Sequence, residues 1–216
     1  MDTITSEKLP ELFRCVAEIF AEKKEELCEM DAKMGDGDLG LTMCKGYGAL
    51  PDLILQCAEP GDIGKTLMKA GIKMASVVPS TMGTLMASGV MEGGKSLKGK
   101  TEIGSAELSI YLTAFAAGIQ KRGKCQLGDR TILDALDAGA KKAAVAASMT
   151  GSTLETVINA AAEGAAQGVE NTKQMKPKYG KAAVFAAKAI GTPDQGAVAG
   201  FYMIKGMQRY IRQIQP

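Results

Sequence analysis

The stretch Leu9-Pro10-Glu11-Leu12-Phe13-Arg14-Cys15-Val16-Ala17-Glu18-Ile19-Phe20 sets the reading of the fold. Leu9, Leu12, Phe13, Val16, Ile19 and Phe20 recur at i, i+3 and i+4. A helical period gathers them on one face and leaves Glu and Lys to cover the other. The same reading extends outward along the chain. In the turn Glu59-Pro60-Gly61-Asp62, Asp62 offers an N-cap for a helix from Ile63 to Met74. Ser105 can cap a helix holding Leu108, Tyr111, Leu112 and Phe115, and Asp129 precedes an Ala-rich segment from Ile132 to Met149. Ser152 with Glu155 reads as a capping box opening a helix towards Gly168. A last helix runs from about Gly196 to Arg212, and Leu41–Leu55 and Gly83–Met91 bring the expected count to about eight. No stretch shows sustained alternation rich in β-branched residues. The expectation is an all-α fold with residues 1–216 as a single domain. Such bundles bind ligands at one end, where loops and helix N-termini converge.

Composition narrows the chemistry. The 216 residues carry 26 Lys+Arg against 24 Asp+Glu, a formal net charge of +2, so no strong field invites nucleic acid or an anionic membrane. Histidine is absent. That rules out a Ser-His-Asp or Cys-His couple, an imidazole zinc site and a histidine proton shuttle within this chain. Its chemistry must run on carboxylates, hydroxyls, amines, backbone amides or a metal bound through oxygen. The five cysteines include no C-x-x-C pair and read as small buried hydrophobes in a reducing compartment. Met1–Pro10 is polar and lacks the layout of a signal peptide, and no apolar run approaches ~18 residues. A soluble, cytoplasmic protein is expected.

The loop Asp31-Ala-Lys-Met-Gly35-Asp36-Gly37-Asp38-Leu39-Gly40 places three carboxylates among three glycines between two helices. Crowded carboxylates repel one another or take up protons, and a hard divalent cation removes that conflict. One reading is a solvated acidic turn with Asp as an N-cap; the other is a magnesium site serving phosphates. A calcium EF-hand fits poorly, because the twelfth position counted from Asp36 is Tyr47 rather than a bidentate Glu. Gly89-Val-Met-Glu-Gly-Gly94-Lys95-Ser96 formally satisfies the P-loop pattern, yet that motif needs a preceding strand and a following helix. Here the preceding segment reads as helix and the following one as loop. Val78-Pro79-Ser80-Thr81-Met82-Gly83 reads either as plain N-capping or as a phosphate-receiving helix start.

Taken together and in order, these motifs resemble the nucleotide-binding L subunit of dihydroxyacetone kinases, over the span from about Leu9 to Met207. The resemblance rests on the spacing of Asp31, Asp36 and Asp38 and on the Ser/Thr/Gly loop near residues 80–83. Arg122-Gly123-Lys124, Gly128-Asp129-Arg130-Thr131 and Ala189-Ile-Gly-Thr-Pro-Asp194-Gln-Gly196-Ala complete it. It implies an eight-helix antiparallel barrel with ATP or ADP bound at one end. By match to the family motif, Asp31, Asp36 and Asp38 would hold two Mg²⁺ ions against the phosphates. Gly40, Leu41 and Thr42 would contact nucleotide, Ser80 and Thr81 would take phosphate oxygens, and Gly123 and Ile132 would border adenine and ribose. Lys181 and the turn Asp194-Gln195-Gly196 would close the site.

Three positions depart from the family pattern. Leu39 stands where members fed by a phosphotransferase chain carry histidine, Lys181 replaces an arginine and Gln195 a proline. Leu39 favours free ATP as donor. The family holds its ketose covalently through a histidine on a separate K-type subunit or domain, so the resemblance implies half an enzyme. It would deliver the γ-phosphate to a terminal hydroxyl of a small ketose held by that partner. Within the same family, the alternative is a subunit with permanently bound ADP, recharged by a phosphotransferase phosphodonor protein. A regulator that senses nucleotide without turnover is a further alternative, and a homodimer is left open.

Overall fold

The apolar face of Leu9–Phe20 is buried as its period requires, with Leu9, Leu12, Phe13, Val16 and Phe20 almost wholly withdrawn from solvent. A computed structural model describes residues 3–185 and 189–214. It contains α1 (Leu9–Glu22), α2 (Lys24–Ala32), α3 (Leu39–Gln56), α4 (Ile63–Val77), α5 (Thr81–Ser96), α6 (Ser105–Gly123), α7 (Ile132–Ala147), α8 (Leu154–Thr172) and α9 (Gln195–Gln213). The described strands are β1 (Ile4–Thr5) and β2 (Glu102–Ile103), paired antiparallel. The all-α expectation therefore holds. The helix beyond the expected eight is α2, set off from α1 by a break at Lys23. Its only buried residue is Leu27, so it shows no apolar stripe to read. No described helix is long and apolar enough to cross a membrane.

Among the described residues, the α-helices other than α2 close a ring in the order α1, α3, α4, α5, α6, α7, α8, α9, with α9 back against α1. Neighbours run antiparallel. Gly64 lies against Leu97 and Lys98 while Gly71 lies against Ala87 and Met91; Gly164 lies against Ala138 and Gly168 against Asp134. At the closing seam Glu22 pairs with Arg209 at 2.7 Å, while the Tyr202 hydroxyl donates to Glu26 at 2.5 Å. Strict alternation round an even ring puts the N-termini of α3, α5, α7 and α9 at one end. Those first turns carry backbone N–H groups that no helix bond satisfies.

Local expectations fare unevenly. The P-loop look-alike Gly89–Ser96 is the second half of α5. Its glycines make room for rings instead: a Cβ on Gly89 would meet Phe115, and one on Gly93 would meet Tyr111. Asp62 does cap α4, accepting from the Lys65 N–H at 2.9 Å. The cap of α8 is Thr153, which accepts from the Thr156 N–H at 3.2 Å; Ser152 lies one residue too early. Ser105 is the first residue of α6 rather than its cap, and Glu107 reaches back to the Gly104 N–H. The polar N-terminal segment contributes Ile4 to the core.

Helices α7 and α8 approach closely: a methyl group on Gly164 would sit 2.4 Å from the Ala138 carbonyl oxygen. Gly164→Ala should therefore destabilise the chain by about 1–3 kcal/mol, although alanine is the better helix former by about 1 kcal/mol. Urea unfolding checks the sign. A stabilised variant would mean that the two backbones do not approach so closely.

Candidate functional site

At the end where the four N-termini meet lies a cleft of about 540 Å³. Its acidic wall is organised by Asp31, in the last turn of α2. The Gly35 N–H returns to the Asp31 carbonyl at 2.5 Å, and Gly37 turns the chain with φ +77°. The Gly37 and Asp38 N–H groups then donate to Asp31 Oδ2 at 2.9 and 3.2 Å. The other carboxylate oxygen accepts from Gln195 Nε2 at 3.2 Å, which ties the acidic loop to the start of α9. Asp36 pairs with Lys181 at 3.0 Å, but both side chains are more than half exposed (57% and 62%), so the pair adds little stability. Asp38 makes no side-chain capping bond to α3, although it occupies the N-cap position.

The other three helix starts are built by capping. Ser80 Oγ accepts from the Gly83 N–H at 3.0 Å at the head of α5. Thr131 heads α7, and Asp134 accepts from the Gly128 and Thr131 N–H groups at 2.6 and 2.8 Å. Asp194 heads α9, accepting from the Ala197 N–H at 2.8 Å. Burial pushes the Asp194 carboxyl up to about 6, against the lowering effects of that N–H and of the Arg130 charge.

A strap formed by residues 173–185 and 189–194 crosses the end of the barrel. Lys178 pairs with Asp129 at 3.1 Å, and the Tyr179 hydroxyl donates to the Lys124 carbonyl at 2.9 Å. Met34 of the acidic loop is buried with Ala182 and Ala189 of the strap, in a cluster separate from the main core. Leu39, Met82, Leu85 and Ile132 give the cleft an apolar side.

Of the residues expected in the site, Asp31, Asp36, Asp38, Thr42, Ser80, Thr81, Ile132, Lys181, Asp194, Gln195 and Gly196 line this one cleft. Gly40, Leu41 and Gly123 do not. Gly40 is a packing residue, since a Cβ there would lie 2.0 Å from the Lys24 carbonyl oxygen. Leu41 points to solvent, and Gly123 ends α6 behind Leu85. Sequence reasoning missed Arg130, Thr131 and Tyr179 as cleft residues. The Thr131-x-x-Asp134 capping box could have found Thr131; Arg130 stands in the Gly128–Thr131 segment without a role assigned to it, and Tyr179 belongs to none of the motifs.

The donor set suits a hard divalent cation in kind. It consists of carboxylate oxygens, and the amide oxygen of Gln195 is buried without a partner among the described residues. Those residues include no group of three acidic or thiol side chains already gathered round one point. Mg²⁺ is commonly held by one or two carboxylates, with substrate phosphates and waters completing its shell.

A closed antiparallel helical ring, with an acidic loop and four helix N-termini facing one cleft, defines an all-α barrel with a polar cleft at one end. The chain belongs to the DAK2 domain family, whose model matches residues 33–209. It is 28% identical over 186 residues to the PEP-dependent dihydroxyacetone kinase 1, ADP-binding subunit DhaL of Listeria innocua, covering 86% of this chain and 87% of the relative. It is 27% identical to human triokinase/FMN cyclase over 88% of this chain but only 32% of that protein. The crystal structure of the dihydroxyacetone kinase from C. freundii in complex with AMP-PNP and Mg²⁺ matches with a TM-score of 0.69 at 22% identity, over 93% of this chain and 33% of that one. At that identity the likeness is one of fold.

Burial of Asp194 has a consequence for stability. Its folded value of about 6 lies above the 3.8 of a free carboxyl, so the folded chain holds this proton more tightly than the unfolded one. The associated stabilisation is complete below about pH 4 and lost as pH rises through about 6, amounting to about 2–3 kcal/mol. Asn at this position keeps an oxygen for the cap but does not titrate. Asp194→Asn should therefore gain about that much stability relative to the parent between pH 4 and pH 7, read by urea unfolding. Parallel curves would show Asp194 ionised throughout.

Proposed function

We propose that this chain is the Mg-nucleotide-binding subunit of a dihydroxyacetone-type kinase, a phosphotransferase with an alcohol group as acceptor. The observation that carries this reading is the convergence of Asp31, Asp36 and Asp38 with the N-termini of α3, α5, α7 and α9 on one cleft. Helix N-termini favour phosphate through their unpaired N–H groups and partial positive charge. Carboxylates opposite them would repel the same phosphates, so a cation between the two supports both features at once. Bound there, Mg²⁺ would neutralise phosphate charge during transfer.

The chain's own groups divide the remaining tasks. Asp31, Asp36 and Asp38 would hold the metal. Ser80 and Thr81, with the first-turn amides of α5, would receive phosphate oxygens, while Lys181 would leave Asp36 to meet developing charge. Leu39, Met82, Leu85 and Ile132 offer an apolar surface for a base. No residue of this chain can tether a ketose through histidine, so the acceptor would sit on a K-type partner subunit facing the cleft. The phosphoryl group then passes from ATP to a terminal hydroxyl of that ketose. Leu39 lines the cleft without a titrating group, which supports free ATP as donor.

A second reading has its own support. The Listeria relative, named a PEP-dependent kinase's ADP-binding subunit, matches this chain over 87% of its length, whereas human triokinase is covered over only a third. On that reading ADP stays bound and a phosphotransferase protein recharges it.

Two measurements test these readings. Calorimetry with ADP should show binding that requires Mg²⁺, and Asp36→Ala should weaken it roughly 100-fold or more while melting like the parent, because Asp36 contributes only an exposed ion pair to the fold. Metal-independent binding would remove the role assigned to the acidic loop. In the second measurement, the chain is mixed with a K-type subunit, Mg²⁺ and three- or four-carbon ketoses, and ATP should be consumed only when both proteins are present. Turnover only with a phosphoenolpyruvate-fed phosphodonor selects the second reading, and no turnover with either donor selects a nucleotide-sensing regulator.

A further inference from the structure

Arg130 is an expensive residue where it stands. Its backbone is left-handed, φ +60°, a conformation unfavourable for any residue with a Cβ. Its side chain is entirely withdrawn from solvent, and a buried guanidinium persists only with partners. One nitrogen, Nη2, donates to the carbonyls of Ala189 (3.3 Å), Thr192 (3.1 Å) and Pro193 (3.4 Å) and to the Thr192 hydroxyl (3.3 Å). Nη1 stands 3.7 Å from Asp194 Oδ1, and neither Nη1 nor Nε makes a hydrogen bond among the described residues.

Every one of these partners belongs to the turn that delivers the chain to α9. From there the contacts continue in one line. Asp194 caps α9, Gln195 follows it, Gln195 Nε2 donates to Asp31 Oδ1, and Asp31 Oδ2 receives the Gly37 and Asp38 N–H groups. The turn has a second anchor on α8, where the Gly191 N–H donates to the Lys173 carbonyl at 2.8 Å and the Asp194 N–H to the Thr172 hydroxyl at 2.9 Å. That anchor fixes the strap to the barrel wall. Arg130 fixes it from within the cleft, on the side where Gln195 meets the acidic loop.

We propose that Arg130 is the positioning residue of this cleft: it seats the turn Ala189–Pro193, and through Asp194 and Gln195 it sets the orientation of the Asp31 carboxylate. The proposal rests on the nucleotide reading for its consequence, but not for its geometry. It separates Arg130 from Lys181, the exposed cation across the same cleft. Lys181 is free to change partners. Arg130 is not, since its side chain is buried and Nη2 is held by the Ala189, Thr192 and Pro193 carbonyls.

The test reads the ligand-free chain first. In Arg130→Met, amide exchange at Gly37 and Asp38 should rise roughly tenfold, while amides of the α4–α5 contact exchange as in the parent. Gln195→Ala should reproduce that rise, and adding Arg130→Met to it should add nothing. Arg130→Lys restores the charge without the planar fork and should fall between parent and Met variant. With Mg²⁺ present, calorimetry should show ADP affinity lowered about tenfold in Arg130→Met and partly recovered in Arg130→Lys. Unchanged exchange at Gly37 and Asp38, or an equal rise throughout the barrel, overturns the proposal and leaves Arg130 a structural residue only. Gln195→Ala keeps the buried arginine in place, so it decides the question if Arg130→Met does not fold: no rise there is also fatal. A parent chain that binds no ADP defeats the nucleotide reading, while the exchange experiment still judges the positioning.

Discussion

Closing a ring of helices requires each to approach two neighbours, and here glycine and alanine set how near they come. Gly64, Gly71, Gly164, Gly168 and Gly206 each leave a space that a Cβ would fill with a neighbour's atoms. That closeness lets α9 return to α1 and shut the ring. Once closed with alternating helices, each end of the ring holds four N-termini and four C-termini, and the starts of α3, α5, α7 and α9 are the ones that reach the cleft. Backbone packing thus decides which helix starts, with their first-turn N–H groups, are set around the cleft. The acidic loop lies beside these helix starts.

Much of this was legible in the sequence because amphipathic period and capping residues are local. The stripe of Leu9–Phe20, the cap at Asp62 and the start of the last helix all translate directly into structure. The look-alike Gly89–Ser96 shows the limit of pattern matching. Its glycines satisfy a phosphate-loop spacing, yet they serve the rings of Phe115 and Tyr111, which lie on a helix the motif does not mention. The short helix α2 escaped notice because it buries one residue, so no period marks it.

The site was legible in proportion to how local its parts are. Asp31, Asp36 and Asp38 share one loop, and their spacing carries their meaning. Thr131 lay within reach through its capping box. Arg130 and Tyr179 act on segments some fifty or sixty residues away in sequence, and nothing near them signals that distance. Gly40 shows that one residue can have a second reason to be what it is: it lies beside the acidic loop in sequence, and the Lys24 carbonyl leaves room for no side chain there.

The two cations flanking the cleft differ in what holds them, and the difference orders the site into a fixed part and an exchangeable part. Arg130 is buried, and its Nη2 meets the main-chain oxygens of the turn before α9; removing that turn's support would strand a buried charge. Lys181 and Asp36 stay hydrated, so exchanging each other for a metal and a phosphate costs little. A site that must admit a charged ligand needs this division. If both cations were mobile, the N-terminus of α9 and the carboxylate of Asp31 would have no common frame. If both were buried, Asp36 would stay neutralised by its own lysine and, on the proposed reading, be closed to a metal. The sequence places a lysine on the exposed strap and an arginine in the buried loop, the compact hydrated charge where exchange is needed and the planar fork where several carbonyls must be held at once.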